Sequence, residues 1–108
     1  MFRVENDKVW LTRGDSAEFR PIIQDYETQE GDKIIFALKR SYSDEAPVLT
    51  IETDLGKNIV FTPETTKDLR CGSYLYDLKI ITVDGSVSTF VNAERFTLLE
   101  DIANAPRD

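Results

Sequence analysis

Few residues of this 108-residue chain have the types and spacing that chemistry requires. Cys71 is the only thiol, and there is no histidine. The commonest general base and the commonest zinc ligand are therefore missing together, and Cys71 has no imidazole to activate it. Gly72 beside it reads as a helix end, where the dipole raises a thiol pKa, so Cys71 reads as an inert packing residue. No catalytic triad or metal set can be assembled, which argues against a hydrolase. Paired carboxylates of the glycosidase kind need a cleft that holds them at a defined separation, and a domain of this size rarely builds one.

Two acidic clusters could be read as calcium ligands: Asp25, Glu27, Glu30 and Asp32 in one loop, and Ser43-Asp44-Glu45 in another. Neither has EF-hand spacing, and both read as solvated loops. Arg13-Gly14-Asp15 spells an integrin-recognition tripeptide, but Gly-Asp between two strands is ordinary turn chemistry. No cofactor, metal or catalytic residue is expected.

Composition narrows the classes further. Thirteen Lys and Arg are scattered among 20 acids, for a formal net charge of −7. An acidic surface without a basic patch repels phosphate, so no nucleic-acid partner is expected. A lone cysteine cannot form an internal disulfide. The charged start Met1-Phe2-Arg3-Val4-Glu5 is no signal peptide, and no apolar run approaches the roughly 18 residues that span a bilayer. One domain is expected over residues 1–102, followed by a frayed tail at 103–108.

The elements that must position any site read as short alternating strands separated by turn residues. Asn6-Asp7 as a two-residue turn pairs Glu5 with Lys8, Val4 with Val9 and Phe2 with Leu11. Ser16 to Ile23 follows, with Pro21 placing it at an edge or interrupting it there. Lys33 to Arg40 turns Ile34, Phe36 and Leu38 one way. Val48 to Ile51 and Asn58 to Thr62 are further strands, and Pro63 to Arg70 is a short helical turn capped by Thr62. Ser73 to Thr82 alternates throughout, Asp84-Gly85 is the strongest hairpin signal, and the last strand runs through Phe96 to Leu99. Seven to eight strands with one short helical turn argue for an all-β, immunoglobulin-like antiparallel β-sandwich, with a small antiparallel barrel as the competing architecture. Gly72-x-Tyr74 fits a tyrosine corner, and Tyr76 stands where the second core cysteine of such a sandwich would fall.

A two-residue loop at Asp84-Gly85 would pair Thr82 with Val87, Ile80 with Thr89 and Leu78 with Val91, placing these on the core face. The reverse face would then carry Leu75, Ile81 and Phe90, joined by Ile35 and Ala37 if Ser73–Thr82 pairs with Lys33–Arg40. A free outer face should read polar, so this apolar cluster marks a candidate protein contact. A one-residue register slip would disperse it.

The order of motifs resembles a known family. Leu11-Thr12-Arg13-Gly14-Asp15-Ser16 comes early. Thr62-Pro63-Glu64-Thr65-Thr66, Leu69, Gly72 and Tyr74-Leu75-Tyr76-Asp77-Leu78 come in the middle. Asp84-Gly85-Ser86-Val87-Ser88-Thr89 and Phe96-x-Leu98 before Asp101 come late. This order resembles the N-terminal domain of upper baseplate proteins from siphophages of Gram-positive hosts, and short prophage proteins encoded near tail genes. The resemblance implies an immunoglobulin-like, non-enzymatic virion protein that docks onto other tail or baseplate proteins; a fixed oligomer is expected only within an assembly. Two features depart from it: those proteins continue into a long receptor-binding or linker region, and Asn92-Ala93-Glu94-Arg95 stands where a glycine is often seen. The alternative function is a carbohydrate-binding module, with Trp10, Tyr26, Tyr42 and Phe90 as stacking platforms.

Overall fold

The computed structural model describes residues 1–21, 29–54 and 58–100. Eight strands and one helical turn follow in order: β1 (Phe2–Glu5), β2 (Lys8–Thr12), β3 (Ala17–Phe19), β4 (Lys33–Lys39), β5 (Leu49–Asp54), β6 (Ile59–Phe61), α1 (Pro63–Thr66), β7 (Gly72–Ile81) and β8 (Val87–Leu99). They form a six-stranded sheet, β1-β2-β8-β7-β4-β5, and a two-stranded sheet, β3-β6. This is an all-β, sandwich-like fold whose larger sheet is mixed rather than antiparallel, because β2 runs parallel to β8. Alternation reveals a strand but not the direction of its neighbour, so a pairing between the two ends of the chain was invisible in the pattern. The frayed tail expected at 103–108 falls outside the described residues.

Burial follows the alternation. Ile34, Phe36 and Leu38 of β4 and Tyr74, Tyr76, Leu78 and Ile80 of β7 are buried, as are Val9, Leu11, Phe96 and Leu98. Phe19, Ile59 and Phe61 cover them from the small sheet. Aromatic rings form the centre: Phe36 meets Phe61 edge-on at 5.4 Å and stacks on Tyr76 at 5.5 Å, and Phe19 meets Tyr76 at 6.1 Å. Strands β3 and β7 lie in different sheets, and in many immunoglobulin domains a disulfide joins such a pair. Here Phe19 and Tyr76 make the inter-sheet contact, with no need of an oxidising compartment.

The tyrosine corner is present. Tyr74 is buried and its hydroxyl donates to the Arg70 carbonyl, four residues back. Tyr76 reaches further, donating to the Asp7 carbonyl in the β1–β2 turn. Burial raises the Tyr76 phenol pKa well above its ordinary value, with Asp7 and Glu94 adding to the effect.

The helical turn is shorter than the segment Pro63–Arg70 promised. Thr62 caps it, with its N–H donating to Thr65 Oγ1 at 3.1 Å. Gly72 is not a helix terminus but the first residue of β7, at a φ of 140° that favours glycine. Cys71 therefore lies away from any helix end, half-buried against the core. The strand expected over Ser16–Ile23 is described only as Ala17–Phe19 and stops before Pro21, consistent with the missing N–H there.

The two hairpins use different turns, and this moves a register. Asn6 and Asp7 both have positive φ, at 51° and 64°, and the pairs Glu5–Lys8, Val4–Val9 and Phe2–Leu11 form as expected. At the second hairpin, positive φ appears at Gly85 alone. Thr82 N–H donates to Ser86 O and Gly85 N–H to Thr82 O, both at 2.9 Å, closing a three-residue loop over Val83, Asp84 and Gly85. Ile81, not Thr82, therefore faces Val87, and Ile80 faces Ser88, not Thr89. The expected Leu78–Val91 pair is restored further down, after β8 takes in one extra residue, Phe90.

Candidate functional site

The outer face of the six-stranded sheet is where the candidate interface residues were expected. Ile35 and Ala37 of β4 and Leu75 and Ile81 of β7 do share that face, each partly exposed. Phe90 does not. The bulge turns it, together with Val91, against the hydrophobic core. Its expected place is taken by Val87, opposite Ile81, and Thr89, opposite Lys79.

The face is a checkerboard rather than a continuous apolar patch. Ile81 sits opposite Lys33, Ile35 opposite Lys79, Ala37 opposite Asp77, and Leu75 between Lys39 and Arg95. Lys33 pairs with Glu52 of β5 at 3.7 Å, and Lys79 Nζ donates to Thr89 Oγ1 at 3.1 Å. Long cationic side chains of this kind lay their methylene stems over apolar neighbours and hold their charges outward.

One end of this face is concave. A second bulge in β8 separates the pairs Leu78–Val91 and Tyr76–Glu94. Ala93 lies in it with a φ of 53°, a left-handed conformation that costs a non-glycine residue about 1 kcal/mol or more. The Asp77 carboxylate accepts the Ala93 N–H at 2.6 Å and holds the kink. Above it, the loop after β4 is closed on itself: the Asp44 carboxylate accepts the N–H groups of Arg40 and Ser41, and Lys39 Nζ donates to the Asp44 carbonyl. Between loop and bulge is a recess of about 70 Å³ with Ala37, Leu75 and Tyr42 in its lining. It adjoins an open groove of about 470 Å³ bordered by Arg40, Tyr42, Leu75 and Arg95. Tyr42 is 75% exposed, and the Arg40 guanidinium lies 5.0 Å from the Tyr74 ring centroid. Sequence reasoning named Leu75 and Ala37 but missed the cations beside them. The loop between Ser41 and Ala46 carried no pattern that would fold it back over the sheet.

The other candidates resolve into structure. Arg13 is buried and donates to the Leu69 carbonyl at 3.1 Å. Gly14 N–H donates to Thr66 Oγ1 at 2.8 Å, and Asp15 pairs with the terminal ammonium of Met1. The Arg-Gly-Asp tripeptide thus joins the first strands to α1. Asp32, 2% exposed, accepts the N–H groups of Gln29 and Val83 at 2.9 Å, tying two loops together. Asp25 and Glu27 lie outside the described residues. Among the described residues no group of three or more acids, cysteines or histidines could hold a metal ion. No helix among them is long and apolar enough to cross a membrane.

Among the described residues, the proposed sugar platforms are not brought together. Arg3 covers the Trp10 ring at 4.2 Å, Phe90 packs inward, and Tyr26 lies outside the described residues. Tyr42 follows β4, three places from the β2 strand of Trp10 in the sheet order. Compared with known proteins, the chain matches no family model, no curated protein and no solved structure.

Proposed function

We propose that this chain is a non-enzymatic virion structural protein, a phage baseplate or tail adaptor, that docks onto neighbouring tail proteins through the outer face of its six-stranded sheet. The motif order that resembles siphophage upper baseplate proteins supplies the assignment. The observation that carries the docking surface is the set Ile35, Ala37, Leu75 and Ile81, exposed in part on a sheet face that should otherwise be uniformly polar. Alternating apolar and charged residues suit a surface that must stay soluble alone and become specific when covered. Apolar contacts then drive association, and the charges set register and reject wrong partners.

In this reading the protein acts in the virion, contacts neither nucleic acid nor membrane, and is a monomer or weak oligomer until assembled. Mass spectrometry of purified virions from the source phage tests it: the chain is expected at a fixed stoichiometry, and its absence at any stoichiometry sinks the reading. A carbohydrate-binding module gains little support, because Tyr42 is the only proposed platform with a widely exposed ring among the described residues. Saturable binding on a glycan array, lost in Tyr42→Ser, would reverse that preference.

A further inference from the structure

We infer that the groove between the β4–β5 loop and the Ala93 bulge is the docking point for an extended acidic segment of a partner protein, one in which a carboxylate sits beside a small apolar side chain. This rests on the adaptor reading and places its specificity at one end of the sheet face.

Three observations carry it. The first is charge. Lys39, Arg40 and Arg95 border the recess and groove, and none has an ion-pair partner among the described residues. Asp77 lines the recess beside Lys39 and keeps its charge while accepting the Ala93 N–H, so the positive excess lies in the groove, lined by Arg40 and Arg95 and by no acid among the described residues. On a chain of net charge −7, a groove lined by two arginines and no acid among the described residues is where a carboxylate finds complementary field, while most of the surface repels it. The second is shape and polarity. The floor is Ala37 and Leu75, and its recess of about 70 Å³ suits a side chain of a few carbons. At the rim Tyr42, 75% exposed, offers the kind of aromatic anchor that dominates protein interfaces. The third is strain. Among the described residues, Ala93 is one of three non-glycine residues held at positive φ, and the other two form a tight hairpin turn that requires it. Ala93 lies instead inside a strand, against the recess, where a bulge re-aims the chain beside a site.

The test uses the full chain, labelled with nitrogen-15, and two synthetic capped peptides: one alternating Glu and Leu, and its Gln–Leu counterpart. The acidic peptide is expected to give saturable shifts centred on Ser41, Tyr42, Ser73, Leu75 and Arg95, and to bind about tenfold more tightly than the neutral one. Arg95→Glu and Tyr42→Ser, both at exposed positions, are each expected to weaken binding about tenfold while leaving the spectrum dispersed. The inference is overturned if the acidic peptide does not saturate at millimolar concentration, if the neutral peptide binds equally, or if the shifts fall elsewhere. It is also overturned if heparin, a polysaccharide polyanion, saturates the same residues more tightly than the peptide. Incorporation of the two variants into virions separates the two proposals. Variants incorporated at the wild-type level remove the groove and leave the adaptor standing. Absence of the wild-type chain from virions removes the adaptor and leaves the peptide result to stand or fall on its own.

Discussion

The two faces of the β4–β7 strand pair share one backbone register and use opposite pairing rules. On the core face like meets like: Ile34 with Ile80, Phe36 with Leu78, Leu38 with Tyr76, all buried. On the outer face every apolar residue meets a charge: Ile35 with Lys79, Ala37 with Asp77, Leu75 with Lys39, Ile81 with Lys33. The first arrangement stabilises the fold, because each buried large side chain contributes about 1.5–3 kcal/mol. The second contributes less to folding, since these apolar residues stay partly exposed and remove less area from water. It leaves a surface whose apolar area can still be covered by a partner.

The sharpest break between the faces is Phe36→Lys. It deletes ring contacts to Phe61, Tyr76 and Phe96 and puts an ammonium in a site of 0% exposure. Losing the ring costs about 3–5 kcal/mol and the unpaired charge adds to it, so circular dichroism should show an unfolded chain. A cooperative native transition in this variant would mean that the core face has been misidentified.

Phe90→Glu tests the corrected register. With Phe90 turned inward at the bulge, the change should destabilise the isolated domain by about 1–3 kcal/mol in urea denaturation. If Phe90 lay on the outer face, as alternation alone would have it, the denaturation midpoint would hardly move.

Tyr76→Phe removes the hydroxyl that holds the β1–β2 turn and should cost about 1 kcal/mol at neutral pH. Its pH dependence has a definite sign. The folded-state pKa of Tyr76 lies above its unfolded value, so the folded chain keeps a proton that the unfolded chain has released. The stability this proton represents is complete below the unfolded pKa of about 10 and is lost as pH rises above it, at up to about 1.4 kcal/mol per pH unit. Tyr76→Phe should be less sensitive to alkali than wild type between about pH 10 and pH 11.5. Parallel stability curves for the two proteins would show that the phenol is not protected by burial.

Two smaller effects belong to the outer face. Ile81→Lys, opposite Lys33, should leave the domain folded with a loss of less than about 1 kcal/mol, while blocking co-purification with neighbouring virion proteins. Unchanged assembly in a folded variant would remove this residue from the docking surface. Ala93→Gly should stabilise the isolated chain by up to about 1 kcal/mol in the same denaturation assay, because glycine takes a φ of 53° without a Cβ clash. A destabilised Ala93→Gly would mean that the alanine methyl contributes more by packing than its backbone loses to strain.

Alternation determined a large part of this protein by itself. A side-chain period of two, interrupted by Asn6-Asp7 and Asp84-Gly85, was enough to identify most strands, the buried residues of β4 and β7 and the all-β class, and the Gly72-x-Tyr74 spacing added the tyrosine corner. Such patterns are local, and burial enforces them residue by residue. Three things were decided only in tertiary structure. The parallel partnership of β2 with β8 joins segments more than 80 residues apart, and nothing local encodes strand direction. The Asp84-Gly85 loop could close over two residues or three. The difference lies in the backbone dihedral of Asp84, and a one-residue difference sends Val87 and Thr89 to the opposite face. The bulge at Phe90 restores the expected register and the bulge at Ala93 shifts it by one residue again, so alternation read straight through β8 fails between them. The groove itself exists only because the loop held by Asp44 and the bulge held by Asp77 meet over Leu75. The Asp44 carboxylate acts through local backbone bonds, whereas the Asp77 bond crosses from β7 to β8, and the meeting of loop and bulge depends on which strands lie side by side.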